Sequence, residues 1–316
     1  MTTSHTPVDD HLDALVIGGG AAGLAGAVTL ARSRRSVTVI DGGAPRNAPA
    51  EGVHALLGMD GIAPAELLAR GRAEVARYGG DVIAAEVRTA EIDGDGFVVT
   101  LEDGRRLRSR RLLVATGAVD ALPEIPGLAE QWGHGVVHCP YCHGWEVRDR
   151  SIGVIASHPM FTHQALLFRQ LTDDVVVFTH GVDPTPEQRA QLLARGIGLV
   201  EDGVAAVVTA DGSITGVELT DGRVVPREIL TVQSLLTPRV QMLAGLGLRV
   251  VDHPMGQHVP TVDIGGRSEV PGVWLAGNVT EPSAQVGASA AAGTMAGAQI
   301  NADLVMAETA AAVAAM

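Results

Sequence analysis

Cysteine is nearly absent from this chain: of 316 residues only Cys139 and Cys142 carry thiols. A disulfide-stapled scaffold is therefore excluded, as is a four-cysteine zinc site. Aromatic residues make up only 3%, while Gly and Ala abound, a balance that suits α/β nucleotide-binding folds. Positive charge is also scarce. The formal net charge of −13 repels phosphate backbones and anionic lipid, so neither nucleic acid nor a membrane surface is an expected partner. No apolar run reaches transmembrane length, because Gly and charged residues interrupt every candidate. The opening MTTSHTPVDDHLD has no basic segment followed by an apolar one, so no secretory leader is expected and the cytoplasm is the expected location.

What is present begins at Leu12. Leu15 to Ile17 read as a short apolar strand, followed by Gly18, Gly20 and Gly23 in the spacing G-x-G-x-x-G, then an Ala/Leu-rich helix. A second strand, Val37 to Ile40, ends at Asp41. This βαβ setting gives the glycines their meaning. Gly18 permits the tight turn, Gly20 lets backbone approach a pyrophosphate, and Gly23 lets helix pack closely on strand. The helix N-terminus offers N–H groups to phosphates, and Asp41 can accept from ribose hydroxyls. Turns are expected at Asp93-Gly94-Asp95-Gly96 and at Asp103-Gly104, between β-strands, with a further strand from Arg111 to Val114. A second βαβ-like unit follows: strand Ile152 to Ile155, helix Thr162 to Leu171, strand Val175 to Phe178. Near the C-terminus, strand Val273 to Ala276 and the Gly277-Asn278 turn lead into a long small-residue helix.

Between the two units lies His138-Cys139-Pro140-Tyr141-Cys142-His143-Gly144-Trp145. A lone C-x-x-C in a cytoplasmic chain is redox-active or metal-binding. His138 and His143 adjoin the cysteines directly, which is poor geometry for zinc, so redox chemistry is expected and no metal. Trp145 reads as a packing residue and His134 as a solvated loop residue, while His163, His253 and His258 receive no role.

Together these pieces resemble the low-molecular-weight thioredoxin reductases, FAD-dependent disulfide oxidoreductases, in the same order over nearly the whole chain. The carrying motifs are the N-terminal glycine fingerprint, the strand running into Ala115-Thr116-Gly117, the C-x-x-C, and AGNVTEPSAQVGASAAAG. The resemblance implies an α/β fold of two Rossmann-like, three-layer ββα dinucleotide-binding domains, the second inserted into the first. The first would span 1–117 and 245–316, and the insert 118–244. It implies FAD held by Gly18, Gly20, Ala22, Gly23, Asp41, Gly42, Arg46, Asn47, Val87, Thr116, Gly117, Gly277, Asn278, Gln285 and Val286. Asn278 stands where the family usually has Asp. A homodimer is implied as well.

The inserted domain departs from that family. Where a nicotinamide-nucleotide site has G-x-G-x-x-A, this chain has Ala156-Ser157-His158-Pro159-Met160-Phe161, and where H-R-R would grip a 2′-phosphate it has Thr179-His180-Gly181. The site is therefore expected to be degenerate. That departure, with HCPYCHGWE and Arg46-Asn47, is similar to the dithiol oxidases of the gliotoxin and holomycin type, enzymes of secondary metabolism. The implied reaction closes a small-molecule dithiol to a disulfide, with O2 as acceptor and H2O2 as product. Cys139 would exchange with substrate and Cys142 face the flavin. His138 or His143 would be the base, and Asn47 either orients it, contacts FAD or serves a turn. Two alternatives stay open: a protein-disulfide reductase acting on a thioredoxin-like partner with NAD(P)H or another donor, and a flavin-loaded sensor without turnover.

Overall fold

The computed structural model describes residues 11–316; the first ten residues of the segment read for a leader lie outside them. In chain order the first elements are β1 (Leu12–Ile17), α1 (Ala21–Arg32), β2 (Val37–Asp41), α2 (Pro64–Arg77), β3 (Asp81–Ala84), β4 (Val87–Asp93), β5 (Gly96–Leu101), β6 (Arg106–Val114) and β7 (Ala118–Ala121). Next come β8 (Val136–Val137), α3 (Pro140–His143), β9 (Ile152–Ile155), α4 (Phe161–Phe168), β10 (Val175–Phe178), α5 (Pro186–Ala194) and β11 (Gly198–Val200). The chain continues through β12 (Val204–Ala210), β13 (Ser213–Leu219), β14 (Val224–Pro226), β15 (Ile229–Val232), β16 (Leu235–Pro238), β17 (Val251–His253), β18 (Gly256–His258), β19 (Val273–Leu275) and α6 (Val286–Ala314). Among the described residues no helix is long and apolar enough to cross a membrane.

The chain divides into two compact units. One comprises Met1–Ala48, Ala63–Val119 and Leu236–Met316; the other comprises Pro49–Ile62 and Asp120–Leu235. The second unit thus takes in a piece of the long loop between β2 and α2 as well as the inserted stretch.

In the first unit a seven-stranded sheet runs β3-β2-β1-β6-β5-β4, with β19 also on β6. β6 is the hinge of this order. Along one edge it pairs with β1 in parallel; on the other it pairs antiparallel with β5 over its first half and parallel with β19 over its second. The two-residue alternation of β1 sorts its side chains. Leu15 and Ile17 enter one core with Val87, Leu101 and Leu112, while Ala14 and Val16 enter another with Leu24, Leu30 and Leu113. A strand buried on both faces has to be apolar throughout, which is why this stretch shows no polar alternation.

The helical face of that sheet depends on missing side chains. A Cβ on Gly26 would lie 2.4 Å from a Leu113 methyl, on Gly293 1.9 Å from the Ala22 carbonyl oxygen, and on Gly297 2.6 Å from the Gly26 carbonyl oxygen. α6 buries Ser289, Gly293, Ala296, Gly297, Ile300 and Leu304, a single stripe at helical spacing against α1. Its far end is pinned by charge. Glu308 accepts from Arg35 and Arg110, both at 2.6 Å, and these guanidinium groups hold its carboxyl down at about 2.

The second unit carries a parallel sheet β11-β10-β9-β15-β8 and an antiparallel sheet β12-β13-β14. β9 and β10 again feed two cores. Ile152, Val154, Val175 and Val177 pack with Phe161 and Phe168 of α4, while Ile155 and Phe178 pack with Val207 and Val217 of the antiparallel layer. β9 and β10 are therefore covered by helix on one side and sheet on the other, the three-layer order that the resemblance implies. α5 opens on a capping box between Thr185 and Gln188, with Pro186 in its first turn.

Alanine is favoured over glycine in a helix by about 1 kcal/mol. At position 293 the contact should reverse that sign, because overpacking costs about 1–3 kcal/mol. Gly293→Ala is expected to lower the melting temperature, whereas Ala298→Leu, on the exposed side of α6, should leave it near wild type.

Candidate active site and dinucleotide cradle

The C-x-x-C sits at the one-turn helix α3. Cys139 is its N-cap with extended backbone, Pro140 fills the first helical position, and the Cys142 N–H donates to the Cys139 carbonyl at 3.2 Å. Three residues apart on one turn, the two half-buried cysteines share a face, as a reversible dithiol–disulfide pair requires. Gly144 ends the turn; a Cβ there would lie 2.2 Å from the Pro140 carbonyl oxygen and 2.4 Å from Leu171.

His138 precedes this turn and is fixed from both sides. Its carbonyl accepts from Gln164 at 2.8 Å, and its ring Nδ1 lies 3.2 Å from the Val232 carbonyl. A carbonyl only accepts, so Nδ1 carries a proton, and in the neutral ring the lone pair falls on Nε2. Val232 of β15 thereby sets the tautomer. Asn47 lies in the turn 46–49 after β2, in the first unit.

His143, next to Cys142, is a different kind of histidine. Both its ring nitrogens are buried without a hydrogen-bond partner. Burial pushes its proton affinity below the ordinary histidine value; Glu146 and Glu51 oppose that shift and His54 adds to it. His143 is therefore neutral at pH 7.

Beside this turn, His54 and Asp60 had no sequence signal of their own, and they meet Glu146, the last residue of HCPYCHGWE. His54 Nδ1 lies 3.4 Å from Asp60, and its Nε2 3.6 Å from Glu146. The segment carrying His54 and Asp60 is closed by the Val53–Ile62 bridge and by the Ala55 N–H donating to Asp60 at 3.2 Å. The clue in the sequence was length: residues 42–63 separate β2 from α2, where a βα connection usually takes about 2–6 residues, and loops that long tend to be functional. Trp145 corrects the packing role expected of it. It is 66% exposed, with the Arg148 guanidinium 4.0 Å from its ring centre. His134 is exposed, as expected.

The loop after β9, where the sequence departs from a nucleotide-binding motif, is occupied with itself. The Met160 N–H donates to His158 Nδ1 at 3.3 Å and the Phe161 N–H to the His158 carbonyl at 3.0 Å, while Pro159 has no N–H. The Phe161 side chain is 1% exposed, in the core. After β10, His180 accepts from the Val204 N–H at 3.0 Å and adopts a left-handed φ of 45°.

Every residue named for FAD lies in the first unit. The turn after β1 is built as a cradle. Gly18 has φ 111°, and a Cβ there would lie 2.2 Å from the Ala115 carbonyl oxygen; one on Gly23 would lie 1.9 Å from the Gly18 carbonyl oxygen. Gly20, by contrast, faces open space, and as N-cap of α1 it supplies no side-chain cap. The first-turn N–H groups of α1, around Ala22, thus point toward a space that suits a pyrophosphate. Asp41 closes the far side of the cradle. Its carboxylate accepts from the Gly43 N–H at 2.9 Å, lies 3.4 Å from Arg72, and faces Gly19, where a Cβ would come within 2.3 Å. Beside it, Gly42 lies against the Glu86 carboxylate. Thr116 Oγ1 is buried without a partner, and Gly117 follows with φ 70°. Val87 opens β4 with its side chain buried in the core. These features fit a dinucleotide.

Asn278 is more than a substitute for Asp. After Gly277 (φ 79°), its amide Nδ2 donates to the carbonyls of Glu281, Pro282 and Ala284 at 3.1, 3.2 and 2.9 Å. An amide can donate there and a carboxylate cannot. The side chain thereby fixes the segment that delivers Gln285, the N-cap of α6, and Val286, its first residue.

Two outcomes are expected. For His143 the unfolded chain takes up a proton more readily than the folded one. Its contribution to stability is therefore full above an unfolded-state value of about 6.5 and is lost as pH falls from there through the lower folded value. Melting curves of His143→Gln between pH 8 and pH 5, at about half-unit steps, should show a flatter profile than wild type. Asn278→Ala should cost about 1–3 kcal/mol in thermal or denaturant unfolding by leaving loop carbonyls unpaired.

The family model for pyridine nucleotide-disulphide oxidoreductases matches residues 12–297. The thioredoxin reductase tcpT of Claviceps purpurea (strain 20.1) is 33% identical over 93% of this chain and 95% of its own. The solved structure of HlmI superposes with a TM-score of 0.92 at 42% identity, covering 99% of this chain and 98% of that one. An oxidoreductase from Agrobacterium tumefaciens gives a TM-score of 0.88 at 36% identity, over 94% and 99%. By its match along nearly the whole length, the chain belongs to the pyridine nucleotide-disulphide oxidoreductase family, among the thioredoxin-reductase-like enzymes.

Proposed function

We propose that the chain is an FAD-dependent dithiol oxidase that converts a small-molecule dithiol to its disulfide through Cys139 and Cys142, with dioxygen as terminal acceptor. The carrying observation is the loop after β9: its Met160 and Phe161 N–H groups are spent on His158 and its third candidate is Pro159, so it offers a pyridine nucleotide a poor pyrophosphate seat. The intact C-x-x-C on a capped turn then takes its electrons from thiols.

His138 Nε2 removes the proton of the first substrate thiol, because the thiolate is the nucleophile. That thiolate attacks Cys139 of the Cys139–Cys142 disulfide; a mixed disulfide forms and Cys142 leaves as thiolate. The second substrate thiolate attacks the substrate sulfur of the mixed disulfide and expels Cys139. One substrate disulfide has formed and the enzyme holds two reduced cysteines. The chemistry a bound FAD supplies is acceptance of that electron pair, with O2 as the final oxidant and H2O2 as product. His143, neutral and unpartnered, adds no charge beside Cys142 during the exchange. Asn47 is assigned to the FAD side of the site, since the Val232 carbonyl supplies the bond that orients His138.

A reductase of thioredoxin type, fed by NAD(P)H, is the second reading, favoured by the name of the Claviceps relative. Anaerobic mixing of the flavin-loaded protein with dithiothreitol, NADPH and NADH separates the two. The oxidase reading expects rapid bleaching by the dithiol, slow bleaching by either nucleotide, and peroxide production in air. Rapid bleaching by micromolar NADPH would overturn it. Cys139→Ser should abolish dithiol turnover, and His138→Ala should lower kcat/KM by about 10²–10⁴-fold, with the deficit shrinking as pH approaches the substrate thiol's own ionisation.

A further inference from the structure

A cavity of about 390 Å³ opens in the second unit beside the redox turn. Pro140 and Tyr141, the two residues between the cysteines, form one wall; Trp145 and Glu146, just after the turn, form another; His54 and Asp60 of the bridged loop form the third. The volume lies within the range of about 300–1,000 Å³ usual for small-molecule sites. A molecule in it rests against the covalent neighbours of both cysteines.

The lining has a definite chemistry. Two carboxylates, Asp60 and Glu146, flank His54 and remain partly open to solvent, at 73% and 41% side-chain exposure. Two aromatic rings, Tyr141 and Trp145, are 65% and 66% exposed in a chain with few aromatics. Carboxylates beside the exposed Tyr141 ring form a receptor for a cationic group carried near a flat ring, through Coulomb attraction and cation–π contact, while the Trp145 ring is already faced by the Arg148 guanidinium. A metal ion does not suit it, because among the described residues no group of three or more His, Cys, Asp or Glu side chains is placed to hold one.

We propose that this cavity holds the body of the dithiol substrate and selects molecules with a protonated amine, with Asp60 and Glu146 as the specificity-determining residues. The proposal rests on the dithiol oxidase reading and names the substrate class for it. His54 bridges the two carboxylates and keeps them facing the same space.

The test uses the flavin-loaded full chain and three dithiols: dithiobutylamine, which is cationic, dithiothreitol, which is neutral, and dihydrolipoate, which is anionic. Expected is a kcat/KM at least about tenfold higher for the amine than for the acid at low salt, shrinking as ionic strength rises and the Debye length shortens. The double variant Asp60→Asn, Glu146→Gln should bring the ratio to within about threefold, a loss of local field rather than of fold, since both rates come from one preparation. A flat or reversed charge order in the wild type, or a ratio unchanged in the variant, overturns the proposal. Oxidation of none of the three would sink the oxidase reading instead. Binding then decides the pocket independently: phenethylamine should quench tryptophan fluorescence where phenylacetate does not, and Trp145→Phe should remove the quench. Equal responses to amine and acid would overturn the pocket assignment.

Discussion

The first unit exists in this form because two backbones touch where side chains are missing. α1 lies so close to the turn after β1 and to α6 that a single methyl on Gly23 or Gly293 would fall within 1.9 Å of a carbonyl oxygen. That closeness aims the uncapped start of α1 at the open space beside Gly20, and it brings the start of α6 to the same end of the sheet. The loose ends are secured by other means: Asn278 ties the approach to α6 with its two amide hydrogens shared among three carbonyls, and Glu308 clamps its far end to Arg35 and Arg110.

In the second unit the same architecture serves a different end. Its loop after β9 is closed by local hydrogen bonds, and the Phe161 side chain completes the core under α4. The redox turn is preserved alongside it, with the Val232 carbonyl holding His138 in one tautomer and burial holding His143 neutral. Two histidines that look symmetric in the sequence differ in their surroundings: the ring of one is hydrogen-bonded to main chain, and the other is buried with neither ring nitrogen paired.

What sequence could foresee follows from what is local. Ile152–Ile155 and Val175–Phe178 are strands at the bounds their apolar runs suggest, and the turns at Asp93 to Gly96 and Asp103-Gly104 join β4, β5 and β6. β1 begins at Leu12, earlier than its apolar run, because Asp13 sits in the strand and accepts from Ser36 and Arg110. The helix expected over Thr162 to Leu171 spans Phe161–Phe168, starting one residue early where His158 accepts from the Met160 and Phe161 N–H groups. Invisible in the sequence was everything assembled from distant segments: His54 and Asp60 meeting Glu146, and the exposure of Trp145. No period or motif encodes a contact made across ninety residues of chain.

The grouping of Pro49–Ile62 with Asp120–Leu235 has a consequence for how the protein can be taken apart. The polypeptide passes from one unit to the other four times, so neither can be excised as an unbroken fragment. A chimaera that transplants only the contiguous insert would carry both thiols but leave the His54 and Asp60 wall behind in the donor. Evolution faces the same arithmetic: drift in a stretch that looks like a linker of the nucleotide fold reshapes the chamber beside the sulfurs, so substrate choice can diverge while the inserted segment itself stays unchanged.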